Sequence, residues 1–290
     1  MKDTAHHGEA AAKRPSLYVV ATPIGNLADI TLRALDVLRR VDAVAAEDTR
    51  ITQRLLKHYG IVVPLVTLHQ HNERDAAQKI LRLLEQGKSV ALVSDAGTPA
   101  ISDPGAVAVA AVRDAGYAVV PLPGANAAVG ALSAAGRVAA HFLFCGFLPQ
   151  QRAARRRELA TLARLPYLLI FYEAPHRVIA SIADLADVLG GERQITIARE
   201  LTKLYESIHA CKLGEAAAWL ARDPNRLKGE FVLLVDGAAG EDAQDVPMAR
   251  RVLGILAAEL PLKQAVKLAT EITGSRKNEL YAAALEMKKR

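Results

Sequence analysis

The chain reads as an α/β protein of two α/β domains followed by a small all-α module, and three observations predict that class. Over residues 17–124, short apolar runs alternate with amphipathic stretches of helical period, the pattern of parallel strands joined by crossover helices. Over residues 125–237 strand-like runs return, but Glu206–Lys212 follows Gln194–Arg199 by a short turn, too short for a parallel crossover, so this second sheet is expected to be mixed. After Gly237 only helical periodicity remains. A chain of 290 residues with 51% hydrophobic content can bury more than one core.

Residues 1–16 are polar, include the isolated pair His6 and His7, and are expected to form a disordered tail. No apolar run reaches about 18 residues, so neither a signal peptide nor a membrane span is expected, and the cytoplasm is the expected location. In the first domain the strands are read at Leu17–Ala21, Val41–Glu47, Pro64–Leu68, Ser89–Ser94 and Ala118–Leu122. Ligands of parallel sheets sit outside the carboxyl ends of the strands. Three of those ends carry Gly and small polar residues: Thr22-Pro23-Ile24-Gly25-Asn26-Leu27, Ser94-Asp95-Ala96-Gly97-Thr98-Pro99 running on to Ser102-Asp103-Pro104-Gly105, and Pro123-Gly124-Ala125-Asn126. Asp103 is placed to cap a helix that Pro104 begins. None of the loops has the Gly-x-Gly-x-x-Gly or the Lys-Ser/Thr phosphate pattern, which disfavours dinucleotide and nucleoside-triphosphate chemistry.

In the second domain strands are expected near His141–Phe147, Tyr167–Tyr172, Gln194–Arg199, Glu206–Lys212 and Glu230–Val235. Four arginines, Arg152, Arg155, Arg156 and Arg157, fall within six residues at a helix start, where cations oppose the helix dipole. Contact with RNA phosphate is the favoured reason for them, a solvated face the plainer one. The net charge of +6 is consistent with a polyanionic partner. Residues 238–247 read as a small, acidic, Pro-ended linker, and 248–290 as three helical stretches. Leu262, Val266, Ala269 and Ile272 keep helical spacing, Thr273-Gly274-Ser275 breaks it, and Ser275 is placed as N-cap of a last helix through Leu280, Ala284 and Met287. Helix, glycine turn and helix resemble a helix-turn-helix, with Lys263, Arg276 and Lys277 as RNA contacts; a hairpin that only packs on a dimer is the alternative. Cys145 and Cys211 lack metal or disulfide spacing and are expected as buried free thiols.

Six stretches resemble the tetrapyrrole-methylase-like S-adenosylmethionine-dependent methyltransferases, and within them the ribosomal RNA branch. They are Thr22-Pro23-Ile24-Gly25-Asn26-Leu27, Ala46-Glu47-Asp48-Thr49-Arg50, the Ser94-to-Gly105 segment, Pro123-Gly124, Tyr172-Glu173-Ala174-Pro175-His176-Arg177 and Ala198-Arg199-Glu200-Leu201-Thr202-Lys203. The resemblance spans about Leu17 to Val235, and the Thr22–Asn26 loop departs from the tetrapyrrole-modifying members. It implies two α/β domains of the tetrapyrrole methylase fold with an interdomain cofactor cleft, a small C-terminal helix-turn-helix module, and a homodimer. It also implies S-adenosylmethionine as cofactor and, as reaction, 2'-O-methylation of a cytidine in the decoding region of 16S ribosomal RNA within the 30S subunit.

Cofactor contacts are then expected from Thr22, Pro23, Gly25, Asn26, Ser94, Asp95, Gly97, Thr98, Pro99, Ala125 and Asn126, with Tyr172, Leu201 and Gly229 towards the adenine. For the proton of the attacking hydroxyl the candidates are Asp48, Arg50, Glu173, His176, Glu200 and Lys203, with Asp48 and Arg50 alternatively a structural ion pair. No metal ligand set is apparent, so metal-independent transfer is expected. A tetrapyrrole or diphthamide-type methyltransferase is the enzymatic alternative, and a non-catalytic RNA-binding protein of ribosome assembly the alternative from another class.

Overall fold

The computed structural model describes residues 14–238 and 246–287. The chain divides into two compact units, the first running to Gly136 and regaining Ala198–Ile208, the second taking Arg137–Ile197 and the chain from His209 onward. The expected tail, His6 and His7 included, lies almost wholly outside the described residues, as do residues 239–245 of the expected linker.

The first unit is built on strands β1 (Ser16–Val20), β2 (Ala43–Ala46), β3 (Leu65–Thr67), β4 (Val90–Val93) and β5 (Ala118–Leu122). They pair in the order β3-β2-β4-β1-β5, every pair parallel. Helices α1 (Leu32–Arg40), α2 (Thr49–His58), α3 (Glu73–Glu85), α4 (Ala106–Asp114) and α5 (Ala127–Ala134) make the crossovers. The central strands β2 and β4 are buried at every position. Their side chains alternate between two cores: Ala91 and Val93 pack with Leu38 and Leu56, while Val90 and Leu92 pack with Ile80 and Val112. A sheet covered on both faces explains the near-continuous apolar runs.

The second unit carries β6 (Phe142–Phe147), β7 (Leu168–Glu173), β8 (Gln194–Arg199), β9 (Ser207–Lys212) and β10 (Phe231–Val235), ordered β6-β7-β10-β8-β9. β6 and β7 are parallel and β7 and β10 antiparallel, the mixed sheet expected from the short connections. Helices α6 (Arg152–Leu162), α7 (Val178–Leu189) and α8 (Leu213–Ala221) cover it through Leu159, Ile182 and Leu220.

Helices α9 (Val246–Glu259), α10 (Leu262–Thr273) and α11 (Lys277–Met287) close on a separate cluster of Leu253, Val266, Ala269, Leu280 and Ala284. α9 begins at Val246, so the last two residues of the expected linker are helical. Gly274 ends α10 in the left-handed region at φ 67°, donating its N–H to the Thr270 carbonyl. Ser275 is not the cap of α11: it is buried, and its amide donates to Thr273 Oγ1 at 3.3 Å. The Arg276 carbonyl accepts the first helical amides, those of Glu279 and Leu280, which places the cap one residue later. Ile272 is 63% exposed and does not join the core despite its spacing. Among the described residues no helix is long and apolar enough to cross a membrane.

Candidate active site

The loops after β1, β4 and β5 meet at the carboxyl edge of the first sheet, and the bonds that join them are backbone bonds. Thr22 and Gly97 form an antiparallel bridge, Thr22 N donating to the Gly97 carbonyl at 2.8 Å and Gly97 N returning to the Thr22 carbonyl at 2.9 Å. Gly97 sits at φ 80°, a conformation that a residue with a Cβ adopts only under strain. The buried Thr22 hydroxyl donates to the Ser94 carbonyl at 3.1 Å, and the Thr98 hydroxyl donates to the Ala125 carbonyl at 3.0 Å. Thr22 and Thr98 therefore fix the shape of this wall. Asn26 and Asn126 also have local employment, each side chain accepting a helix-start amide, from Ala28 and Val129.

The segment after β4 departs from expectation at its far end. α4 starts at Ala106, and neither Asp103 nor Pro104 caps it. Glu73, at the start of α3, reaches over instead: its Oε1 accepts from Gly105 N at 2.7 Å and Val107 N at 2.9 Å. A carboxylate there also complements the positive end of the helix dipole. No sequence rule connects Glu73 to a loop 32 residues later, so this residue was missed. Glu73→Ala is expected to destabilise the first unit by about 1–2 kcal/mol, as cap removal does, measured by urea unfolding. An unchanged midpoint would show the loop to hold itself.

Beside these loops the ends of β2 and β4 gather carboxylates. Asp95 Oδ1 accepts from Asp48 N at 2.9 Å. Burial raises Glu47, and the charges of Asp103, Asp95 and Asp48 add to the rise. Burial also raises Asp103, with Asp95 contributing and a hydrogen bond with Ser94 opposing. Asp48 goes the other way: Arg50 donates from N and Nε to Oδ1 at 2.8 and 3.0 Å and from Nη2 to Oδ2 at 2.6 Å, holding the carboxyl down to about 2. Asp48 is also the N-cap of α2. A carboxylate so held is a weak base, which favours the structural ion pair over proton uptake for Asp48 and Arg50. The pair persists as pH falls below 3.8 and is lost only on passing about 2.

Glu47 was absent from the sequence candidates although it adjoins Asp48. Because its folded-state value lies above the ordinary 4.5, its charged form costs stability above that pH, and the cost fades as pH falls through the window. Glu47→Gln is accordingly expected to melt higher than the parent at about pH 7 and alike at about pH 4, read by thermal scans. A higher melting temperature at the acidic end alone would reverse the assignment.

The segment 200–205 belongs to the same unit and packs on the β1 loop. Thr202 Oγ1 accepts from Asn26 N at 3.1 Å. Gly25 faces this segment so closely that a Cβ would lie 2.5 Å from Lys203 Cγ, 2.8 Å from Thr202 Oγ1 and 3.0 Å from the Leu201 carbonyl oxygen. Glu200 and Thr202 are held at φ 53° and 65°, a strained conformation for residues with a Cβ. Lys203 Nζ pairs with Glu200 Oε1 at 2.8 Å.

The second unit holds the remaining candidates. Glu173 is 2% exposed, accepts from Arg177 Nε at 2.7 Å and Ala174 N at 2.8 Å on Oε1, and from Ser181 Oγ at 2.5 Å on Oε2. Both oxygens are engaged in the turn into α7, which Glu173 braces. Arg155 is removed from phosphate: its side chain is 5% exposed, and it donates from Nε and Nη2 to Asp184 Oδ2 at 2.9 and 2.7 Å and to the Pro149 and Gln150 carbonyls. Arg152 and Arg156 also donate to Asp184, while Arg157 is exposed. Asp184 on the facing helix α7 thus explains cations that local helix rules disfavour. His176 is exposed, Gly229 sits at φ 91°, and the Tyr172 ring lies edge-on to Phe144 and Phe147 at 4.9 and 5.5 Å. Burial pushes the Cys145 thiol up to about 11 and raises Cys211 as well, so both stay protonated. Among the described residues no group of three His, Cys, Asp or Glu is placed to hold a metal ion.

Comparison with known proteins gives one consistent answer. Residues 16–217 match the family described as tetrapyrrole (corrin/porphyrin) methylases, and residues 242–288 match the RsmI C-terminal HTH domain. The chain is 51% identical over 281 residues to ribosomal RNA small subunit methyltransferase I of Escherichia coli O157:H7, covering 97% of this chain and 98% of that one. It is 52% identical over 273 residues to the Pseudomonas aeruginosa protein of the same name, covering 93% and 97%. Among solved structures it is similar in fold to the methyltransferase CobJ, with a TM-score of 0.58 at 21% identity over 78% of this chain and 95% of that chain.

Proposed function

Because the chain belongs to the tetrapyrrole methylase family, and to its ribosomal RNA small subunit methyltransferase I group, we propose that it methylates the ribose 2'-hydroxyl of a cytidine in the decoding region of 16S ribosomal RNA. The assembled 30S subunit is the proposed substrate, a homodimer the working unit and the cytoplasm its place. S-adenosylmethionine is the methyl donor. The observation that carries the reading is 51% identity along 97% of the chain, helical module included.

The edge of the first sheet fits such a cofactor. Its amino and sulfonium groups are cationic, and Glu47, Asp95 and Asp103 make the edge acidic beside the Asp48–Arg50 pair. The bound cofactor supplies a methyl group already activated on sulfur. What remains for the chain is to hold the parts in line, keep water away and take up a proton. Asp95 is proposed to accept a hydrogen bond from the cofactor, with Pro23, Gly25, Ser94, Gly97, Pro99 and Ala125 forming the wall that Thr22 and Thr98 brace. Tyr172, Leu201 and Gly229 keep their proposed place towards the adenine. With Asp48 and Glu173 set aside, Glu200, Lys203 and His176 remain the proposed groups for the proton. RNA contact is proposed for Arg152, Arg156 and Arg157, and for Lys263, Arg276 and Lys277 of the helical module.

The test is tritium transfer from labelled S-adenosylmethionine to purified 30S subunits, with free ribosomal RNA and a precorrin as competitors and a chelator present throughout. One 2'-O-methylcytidine, identified by mass spectrometry of the digested RNA, is the expected product. Transfer to the precorrin instead, or no ribose methylation, refutes the substrate, and loss of transfer on chelation refutes metal independence.

A further inference from the structure

α11 has two faces of different character. Leu280, Ala283 and Ala284 point into the core of the helical module. Opposite them, Lys277, Asn278, Tyr281, Ala282 and Leu285 line an open hollow of about 390 Å³. Those residues fall at spacings of one and four, so they form a single stripe along the helix. Tyr281 is 38% and Leu285 44% exposed; at the end where the stripe begins Arg276 pairs with Glu279 at 3.8 Å, which leaves Lys277 as the cation of the stripe itself.

We propose that this stripe is a stacking platform for one unpaired RNA base, with Tyr281 against the base and Lys277, a turn earlier, at the adjoining phosphate. The proposal deepens the preceding reading, and rests on it for RNA as the polyanion. Charge selects the partner: residues 245–290 carry nine Lys or Arg against five Asp or Glu. A second copy fits poorly, since the stripe contains no carboxylate that could face Lys277 of the other copy across a two-fold contact. Duplex RNA fits poorly too. Its major groove is too deep and narrow for a helix to read, whereas an unstacked base needs only a flat ring and a nearby cation.

The full-length protein would be titrated with a short single-stranded RNA containing 2-aminopurine, and with a hairpin of the same composition. Wild type is expected to prefer the single strand and to quench the probe on binding. Tyr281→Ala is expected to weaken single-strand binding roughly five- to a hundredfold and to remove the quenching, with Tyr281→Phe retaining both. Tyr281→Leu keeps apolar bulk without the ring, so binding lost in Tyr281→Leu as in Tyr281→Ala, with circular dichroism unchanged, separates stacking from packing. Lys277→Gln should keep the quenching and flatten the salt dependence by about one unit of slope. Wild-type affinity in Tyr281→Ala, equal affinity for the hairpin, or self-association that Tyr281→Ala abolishes would each overturn the proposal. Failure of the ribosomal reading looks different: the single strand is bound and quenched, yet 30S receives no methyl group.

Discussion

Asp184→Ala is expected to lower the unfolding free energy of the second unit by about 3–5 kcal/mol, because it strands the buried Arg155 guanidinium without its carboxylate. Asp184 is 1% exposed and receives donors from Arg152, Arg155 and Arg156. Burial alone pushes its carboxyl up, but those hydrogen bonds prevail and hold it below the ordinary 3.8. The stabilisation is thus complete above that pH and is lost as pH falls through the lower native value. Urea unfolding of the single variant and of Asp184→Leu/Arg155→Met distinguishes a stranded charge from lost packing, the double variant recovering most of the loss. A single-variant loss under about 1 kcal/mol would mean that Arg155 finds sufficient partners in the Pro149 and Gln150 carbonyls.

Gly25→Ala is expected to weaken S-adenosylmethionine binding roughly tenfold or more, the equivalent of the 1–3 kcal/mol typical of overpacking. Two of the three atoms that its Cβ would strike, Lys203 Cγ and Thr202 Oγ1, lie close to the main chain, and the Thr202 hydroxyl is also held by Asn26 N. The third, the Leu201 carbonyl, belongs to the backbone at 3.0 Å, so the strained 200–203 turn must move. Adding Lys203→Ala removes the tightest contact, and calorimetry should find the double variant binding better than the two single effects sum to. Strict additivity would place the damage elsewhere.

Periodicity alone made most of the fold legible. The central strands of the first sheet were readable because both of their faces are buried, and the mixed second sheet because the β8-to-β9 connection is short. The ends were read less well. Ser275 and Asp103 are good caps by composition, but the turn before α11 takes Ser275 inward and Glu73 supplants Asp103 from another helix. In the site, the three loops were visible from their Gly and polar residues, yet sequence could not show that their polar atoms mostly hold one another. Arg155 was harder to read for a related reason. Its partner, Asp184, lies 29 residues from Arg155 on a facing helix, and a local charge count does not see it. Glu47 carried a signal that was passed over: it stands beside Asp48 at the end of the same buried strand.

The 198–208 segment gives the first unit a history as well as a shape. A chain leaving the ribosome completes β1 to β5 long before that segment emerges, since β6, β7 and most of β8 must be synthesised in between. Until then Gly25 faces no Lys203, and Asn26 N has no Thr202 hydroxyl to donate to. The nascent first unit is therefore a sheet with one wall of its working edge missing, and the edge closes only when the second unit is largely made. A protease added to stalled chains should cut near Gly25 in those ending before Ala198 and spare that site in those extended well beyond Ile208.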